Sequence, residues 1–254
     1  MKISLLGTGD SPGTPILNCH CPTCEDARRK HWERKRFSVM VQNSDKTILI
    51  DTSPDLRRQL LDNGVEKVDA VIWTHCHFDH FGGFGEFYRV QNNVKVFSTP
   101  GIHDNISRYM GFLKYRPKEV ELFEPFEIGG VKFTLFPVNH PPVEAVGVKI
   151  EWKNYKIVVS GDTNKNIPEK SISEMAKPHL FIVEALAPSG RFRKHMNAKE
   201  AMELSKRIEA KKAVLTHLGH FFPPHRVAIK QYPVGEDYQQ FSFGEVSLNE
   251  FIGD

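Results

Sequence analysis

The sequence predicts an α/β protein in which helices cover β-sheets, and three observations carry that prediction. Short apolar or alternating runs of strand length recur along the chain, helical patterns fall between only some of them, and the order mixes hairpins with strand-helix-strand units. The strand-like runs are Lys2 to Leu6, Phe37 to Gln42, Thr47 to Ile50, Asp69 to Trp73, Val94 to Ser98, Val131 to Phe136, Ala145 to Glu151, Lys156 to Ser160, Leu180 to Glu184 and Ala213 to Thr216. Helical patterns run from Pro54 to Asn63, Gly101 to Met110 and Asn197 to Ala210, the last opening on Asn197 and Glu200 at capping-box spacing. No low-complexity linker or charge block divides the chain, so residues 1–254 read as one domain, compatible with two sheet-helix halves face to face.

Composition narrows the function classes. With 40% hydrophobic and 26% charged residues, the chain is ordinary for a soluble globular protein, and a net charge of +3 does not point to a nucleic-acid or membrane surface. The run Met1 to Gly7 is too short for a signal peptide and no stretch approaches a membrane span, so a cytoplasmic location and no membrane partner are expected.

The strongest chemical signal is Thr74-His75-Cys76-His77-Phe78-Asp79-His80, directly after the apolar run ending at Trp73. Imidazole and carboxylate together suit divalent ions such as zinc, manganese or iron, and four such ligands in one loop exceed what a single open site usually takes. Two ions are therefore expected. On an extended segment His75 and His77 face one way and Cys76 the other, which makes Cys76 a small buried residue rather than a ligand. Other polar residues follow strand runs in the same manner: Asp51 after Ile50, Asp162 after Ser160-Gly161, and His217 after Thr216. Residues at equivalent strand ends are expected to converge, although each alone could be a turn former or a satisfied polar residue.

Cys19-His20-Cys21-Pro22-Thr23-Cys24 is too tight and too odd in number for a self-contained disulfide set. It suits thiolate ligands of a zinc knuckle at residues 19–24 with a fourth ligand from elsewhere, the alternative being free thiols. Gly7-Thr8-Gly9 is not a dinucleotide fingerprint, because Pro12 stands where the third glycine would fall.

The series His75-x-His77-x-Asp79-His80, His140, Asp162 and His217 resembles the metallo-β-lactamase superfamily signature, complete and in order across the chain. That resemblance implies a four-layer αβ/βα sandwich with two divalent ions at the sheet edge, zinc or manganese, with iron also admissible. It would place one ion on His75, His77 and His140 and the other on Asp79, His80 and His217, with Asp162 bridging and Asp51 in support. The segment Leu6 to Gly13, the cysteine knuckle and His217-Leu218-Gly219-His220 are further similar to PhnP-type phosphodiesterases, which implies a structural zinc on Cys19, Cys21, Cys24 and His220.

The same resemblance makes Asp79 and Asp162 members of the catalytic centre and implies hydrolysis of small phosphodiesters, cyclic ones included, by hydroxide held between the ions. His195, just before the capped helix, resembles the catalytic histidine of that subgroup; it would act as acid to the leaving group, or else contact phosphate or cap structure. Arg191 and Arg193, with Lys194, either bind a second substrate phosphate or form a solvated charged loop. A tRNA 3′-processing endonuclease would carry a protruding arm for which His140 to Asp162 leaves no room, so nucleic acid is not the expected partner. The same metal signature would also suit a thioester or lactam hydrolase or a PQQ-biosynthesis-type binding protein, and a homodimer is compatible with the sequence.

Overall fold

The computed structural model describes residues 1–112 and 114–244. The first half comprises β1 (Lys2–Gly7), α1 (Pro22–Lys30), β2 (Ser38–Asn43), β3 (Lys46–Ile50), α2 (Leu56–Asp62), β4 (Ala70–Ile72), α3 (Phe78–Phe81) with a 3₁₀ helix (Gly82–Phe87), β5 (Lys95–Ser98), α4 (Pro100–Met110) and β6 (Arg116–Glu119). The second comprises β7 (Pro125–Ile128), β8 (Val131–Pro137), β9 (Val146–Trp152), β10 (Tyr155–Val159), α5 (Glu169–Met175), β11 (Leu180–Glu184), α6 (Ala198–Arg207), β12 (Ala213–Thr216), α7 (His225–Gln231) and β13 (Gln240–Ser242). They build a seven-stranded sheet, β13-β1-β2-β3-β4-β5-β6, and a six-stranded sheet, β12-β11-β10-β9-β8-β7.

Strand alternation explains the layers. In β10, Ile157 and Val159 enter the large core shared by both sheets, whereas Val158 enters a second core that also holds Ala201 and Leu204 of α6. In β11, Leu180 and Ile182 divide from Phe181 and Val183 in the same way. One face of the sheet meets the other sheet and the opposite face meets helices, giving the expected αβ/βα sandwich.

All ten strand-like runs form strands, and the three helical patterns appear with shifted ends. The capping box is present: the Asn197 side chain accepts from Glu200 N, and Asn197 N donates to the Glu200 carboxylate. Sequence periodicity did not reveal β6, β7, β13 or the helices α1, α3, α5 and α7. β6 and β7 form one end of the two sheets and β13 an edge, and β6 is exposed throughout, so none needed a regular apolar run. Helix α1 is mostly polar, and its start is set by chemistry local to the knuckle: Cys21 caps it by accepting from Cys24 N, and Pro22 occupies the first turn.

The parallel pairs β3-β4-β5 and β10-β11-β12 leave their carboxyl ends along one edge of the sandwich. Asp51, Thr74, Asp162, Glu184 and His217 all lie at these ends, where ligands collect in open α/β sheets.

Candidate metal centre

His75, His77, His140 and Asp162 form one group of converging donor atoms, and Asp79, His80 and His217 form another. In the first, His77 Nδ1 lies 3.1 Å from His75 Nε2 and 2.9 Å from His140 Nε2. In the second, Asp79 Oδ2 is 3.2 Å from His80 Nε2 and 3.5 Å from His217 Nε2. Asp162 Oδ2 reaches both groups, at 3.2 Å from His217 Nε2, 3.4 Å from His80 Nε2 and 3.8 Å from His75 Nε2. Nitrogen ligands bound near 2.0–2.1 Å at the tetrahedral angle stand roughly 3.4 Å apart, so these separations suit two ions sharing one carboxylate.

Electrostatics agree with that fit. Burial holds His75 and His77 below the ordinary histidine range and takes His140 to about 4, leaving neutral rings able to ligate. Burial also opposes charge on His80 and His217, but Asp162 and Asp79 outweigh it and draw protons onto both, His217 rising to about 9. Carboxylates gathered so closely call for positive charge, which cations would supply. His80 Nε2 and His217 Nε2, the nitrogens nearest Asp79 and Asp162, are buried without a formed hydrogen bond, as ligands facing an ion would be.

The outer nitrogens are held by the fold. His80 Nδ1 is 2.7 Å from Asp51 Oδ2, and Thr74 donates its N–H to Asp51 Oδ1 and its hydroxyl to Oδ2. His140 Nδ1 donates to the Lys194 carbonyl at 2.9 Å, and His75 Nδ1 lies 3.0 Å from Thr74 Oγ1. Asp51 and His217 occupy the left-handed region at φ of 62° and 54°, a strain of about 1–3 kcal/mol each that the surrounding contacts must offset. Gly161 sets up Asp162 from the same region at φ 62°, where a Cβ would come within 2.4 Å of the Val146 carbonyl. Cys76 packs partly buried against the large core.

The two groups open into a cleft of about 350 Å³ lined by Ser11, His77, Phe78, Asp79, Asp162, Lys194, His195 and His217. His195 Nδ1 lies 3.2 Å from Glu184 Oε2, and Glu184 Oε1 accepts from Thr163 N and Met196 N. Burial disfavours a charged His195, but the Glu184 contact outweighs it and raises its pKa. Sequence reasoning missed Glu184; the available signal was a carboxylate closing the apolar run Leu180 to Val183. It also missed Asp10, buried with Oδ1 unpartnered and pushed up to about 7 by burial, within the field of His217 and Asp79. Arg191 and Arg193 are exposed and do not line the cleft, whereas Lys194 does.

The knuckle converges as well. Cys19, Cys21 and Cys24 Sγ lie 3.2, 3.5 and 3.7 Å from His220 Nδ1. Sulfur at about 2.3 Å and nitrogen at about 2.0 Å from one tetrahedral zinc would be roughly 3.5 Å apart, so the set fits that ion. Thr23 ties α1 to the segment just after the His217–His220 loop by donating to the Phe222 carbonyl at 2.5 Å, and within the loop Leu218 N donates to the Thr8 carbonyl.

Residues 46–218 match the model of the beta-lactamase superfamily domain. The octanoyltransferase of Porphyromonas gingivalis (strain ATCC BAA-308 / W83) is 28% identical over 92% of this chain and 49% of its own length. The chain spans about half the length of the first curated relatives it matches. Among solved structures, a diphosphatase of the PhnP family superposes with TM-score 0.84 at 26% identity, covering 96% of this chain and 98% of that one. Zinc-bound PqqB from Methylobacterium extorquens gives TM-score 0.78 at 20% identity, covering 96% and 100%, a likeness of fold. With the domain match, the two-sheet sandwich and the His/Asp groups at its edge in agreement, the chain belongs to the metallo-β-lactamase superfamily.

Proposed function

We propose that this chain is a dinuclear-metal hydrolase of small phosphodiesters, cyclic ones included. The observation that carries the reading is His195, oriented by buried Glu184 and facing the cleft beside Lys194 and Asp162. His75, His77 and His140 would hold one divalent ion, Asp79, His80 and His217 the other, with Asp162 between them; zinc, manganese or iron suit these donors. When bound, such a pair supplies Lewis acidity toward phosphoryl oxygens and an activated water near neutral pH.

The protein's own groups do the rest. Glu184 holds His195 by Nδ1 and favours its protonated form, leaving Nε2 to deliver a proton to the departing oxygen, a contribution of about a hundredfold or more. The Lys194 ammonium adds charge for a non-bridging phosphate oxygen. Arg191 and Arg193, exposed and outside the cleft lining, would meet a second phosphate only on a longer substrate. Cys19, Cys21, Cys24 and His220 would hold a structural zinc that steadies the loop carrying His217.

The PhnP-family diphosphatase supports phosphorus-centred chemistry. Between His140 and Asp162 the chain is largely used by the antiparallel pair β9 and β10, which speaks against a tRNA-gripping arm there. A complete ligand set speaks against a non-hydrolytic binding protein. The octanoyltransferase relative favours one second reading, hydrolysis of an acyl thioester by the same centre. A metal-titrated screen against bis-aryl phosphate, 2′,3′-cyclic nucleotides, ribosyl cyclic phosphates, octanoyl thioesters and a pre-tRNA separates these, and no phosphodiester turnover under any metal would refute the leading reading.

A further inference from the structure

One part of the cleft has no role in breaking a bond. Phe78 stands between His77 and Asp79 and lines the cleft, yet it is 66% exposed. Its ring is seated rather than loose: a Cβ on Gly82 would meet three ring carbons at 2.7–3.0 Å. Gly82 has an ordinary helical φ of −58°, so the backbone does not require glycine there; what its bare Cα provides is room for the ring. Buried Phe81 supports the arrangement, edge-on to Phe78 at 5.9 Å, and also packs with Tyr109 of α4 at 5.9 Å. Tyr109 is 70% exposed.

We infer that Phe78, supported by Phe81, is a stacking platform for a planar heterocycle on the substrate. This rests on the phosphodiesterase reading and narrows it to nucleotide-like esters carrying a base. A ring offers a flat face to any base without hydrogen-bond readout, and the neighbouring Lys194 and His195 take the phosphate end. An acyl chain is served less well, because it needs an enclosed apolar channel, whereas the remainder of this cleft is polar and open.

The test uses the intact metal-loaded chain and compares a 2′,3′-cyclic nucleotide with base-free ribosyl cyclic phosphate. Base stacking of about 1–3 kcal/mol corresponds to roughly 5- to 150-fold. Phe78→Ala should lower the preference for the base-bearing ester by a factor in that range, mainly through KM, and Phe78→Trp should restore it. Gly82→Ala, which the backbone accepts but which displaces the ring, should lower the same ratio with metal content retained on elemental analysis. Equal losses on both esters, or an unaltered ratio, overturn the platform.

Binding of AMP, ribose 5-phosphate and n-octyl phosphate by calorimetry, with quenching of a 2-aminopurine nucleotide, reads the platform without turnover. Preference for AMP with quenching supports it even if no phosphodiester is cleaved, which would then refute only the hydrolytic reading. No preference over ribose 5-phosphate, or tighter binding of n-octyl phosphate than of AMP, overturns it.

Discussion

Replacing Asp51 by Asn should selectively weaken the metal group built on His80. The fully buried Asp51 carboxylate receives three contacts: Thr74 N–H on Oδ1 at 2.8 Å, and Thr74 Oγ1 at 2.7 Å and His80 Nδ1 at 2.7 Å on Oδ2. An amide cannot reproduce them. If its NH₂ takes the Oδ1 position it confronts the Thr74 N–H, leaving buried donors unsatisfied at about 1–3 kcal/mol. If it takes the Oδ2 position it donates to His80 Nδ1 and moves the ring proton to Nε2, the atom that faces Asp79 and Asp162. Loss of such an outer partner typically costs about 10- to 100-fold in metal affinity, equivalent to roughly 1.4–2.7 kcal/mol. Competition titration of metal-free protein with a chromophoric chelator should show that weakening at one of two sites, with a smaller change at the site of His75, His77 and His140. Two affinities within twofold of the parent, or equal loss at both, would falsify the division of ligands and the role given to Asp51.

Three other outcomes follow from the same geometry. His195→Ala should cut kcat about a hundredfold for esters with alkoxide leaving groups and far less for nitrophenolate, which needs no acid, while Glu184→Gln should move the alkaline limb of the kcat profile downward because Glu184 is what lifts His195 above its ordinary range; equal losses on both esters, or an unmoved limb, count against the pair. Cys24→Ser should remove one zinc per chain and lower turnover through the His217–His220 loop, and full turnover with that zinc missing would break the proposed coupling. Asp10 is protonated in the fold up to about pH 7 but ionises near 3.8 when unfolded, so the folded form binds the extra proton between those values. In metal-free protein this group alone should therefore make stability rise as pH falls, by about 2 kcal/mol from pH 7 to 5, and Asp10→Asn should remove that increment in denaturant titrations.

How much of the fold was legible depended on burial. Strands such as Leu180–Glu184, buried along their whole length, must be apolar to enter two cores, and their runs stand out in the sequence. β6, four exposed residues Arg116–Glu119, is held by backbone pairing with β5 and owes nothing to side-chain pattern. Helix α1 was illegible for a related reason: its buried residues are Thr23, Cys24, Asp26 and Ala27, so no apolar stripe marks it. The start of α6 was legible because capping is local chemistry, set by Asn197 and Glu200 alone.

Residues of the site were legible where their chemistry is rare and clustered. His75, His77, Asp79 and His80 announce themselves because four metal-type donors in one loop have few other uses. Asp51 and Asp162 stand out only by position, as acids following apolar strands, whereas Glu184 is the last residue of its own strand and so carries no such positional mark. Its role depends on an 11-residue separation from His195, bridged only because β11 ends beneath the loop that precedes α6. The arginines illustrate the converse. Arg191, Arg193 and Lys194 are equivalent as charges in the sequence, but the His140 bond to the Lys194 carbonyl and the Asn164 bond to the Arg193 carbonyl fix the loop so that, of the three side chains, only Lys194 lines the cleft. Composition names the available chemistry, but which basic side chain reaches the phosphate is decided by these backbone anchors. A swap that moves the cation from 194 to 193, Arg193→Lys with Lys194→Ala, should therefore fail to restore KM for a simple phosphodiester, and full restoration would show that the loop is not held as these bonds imply.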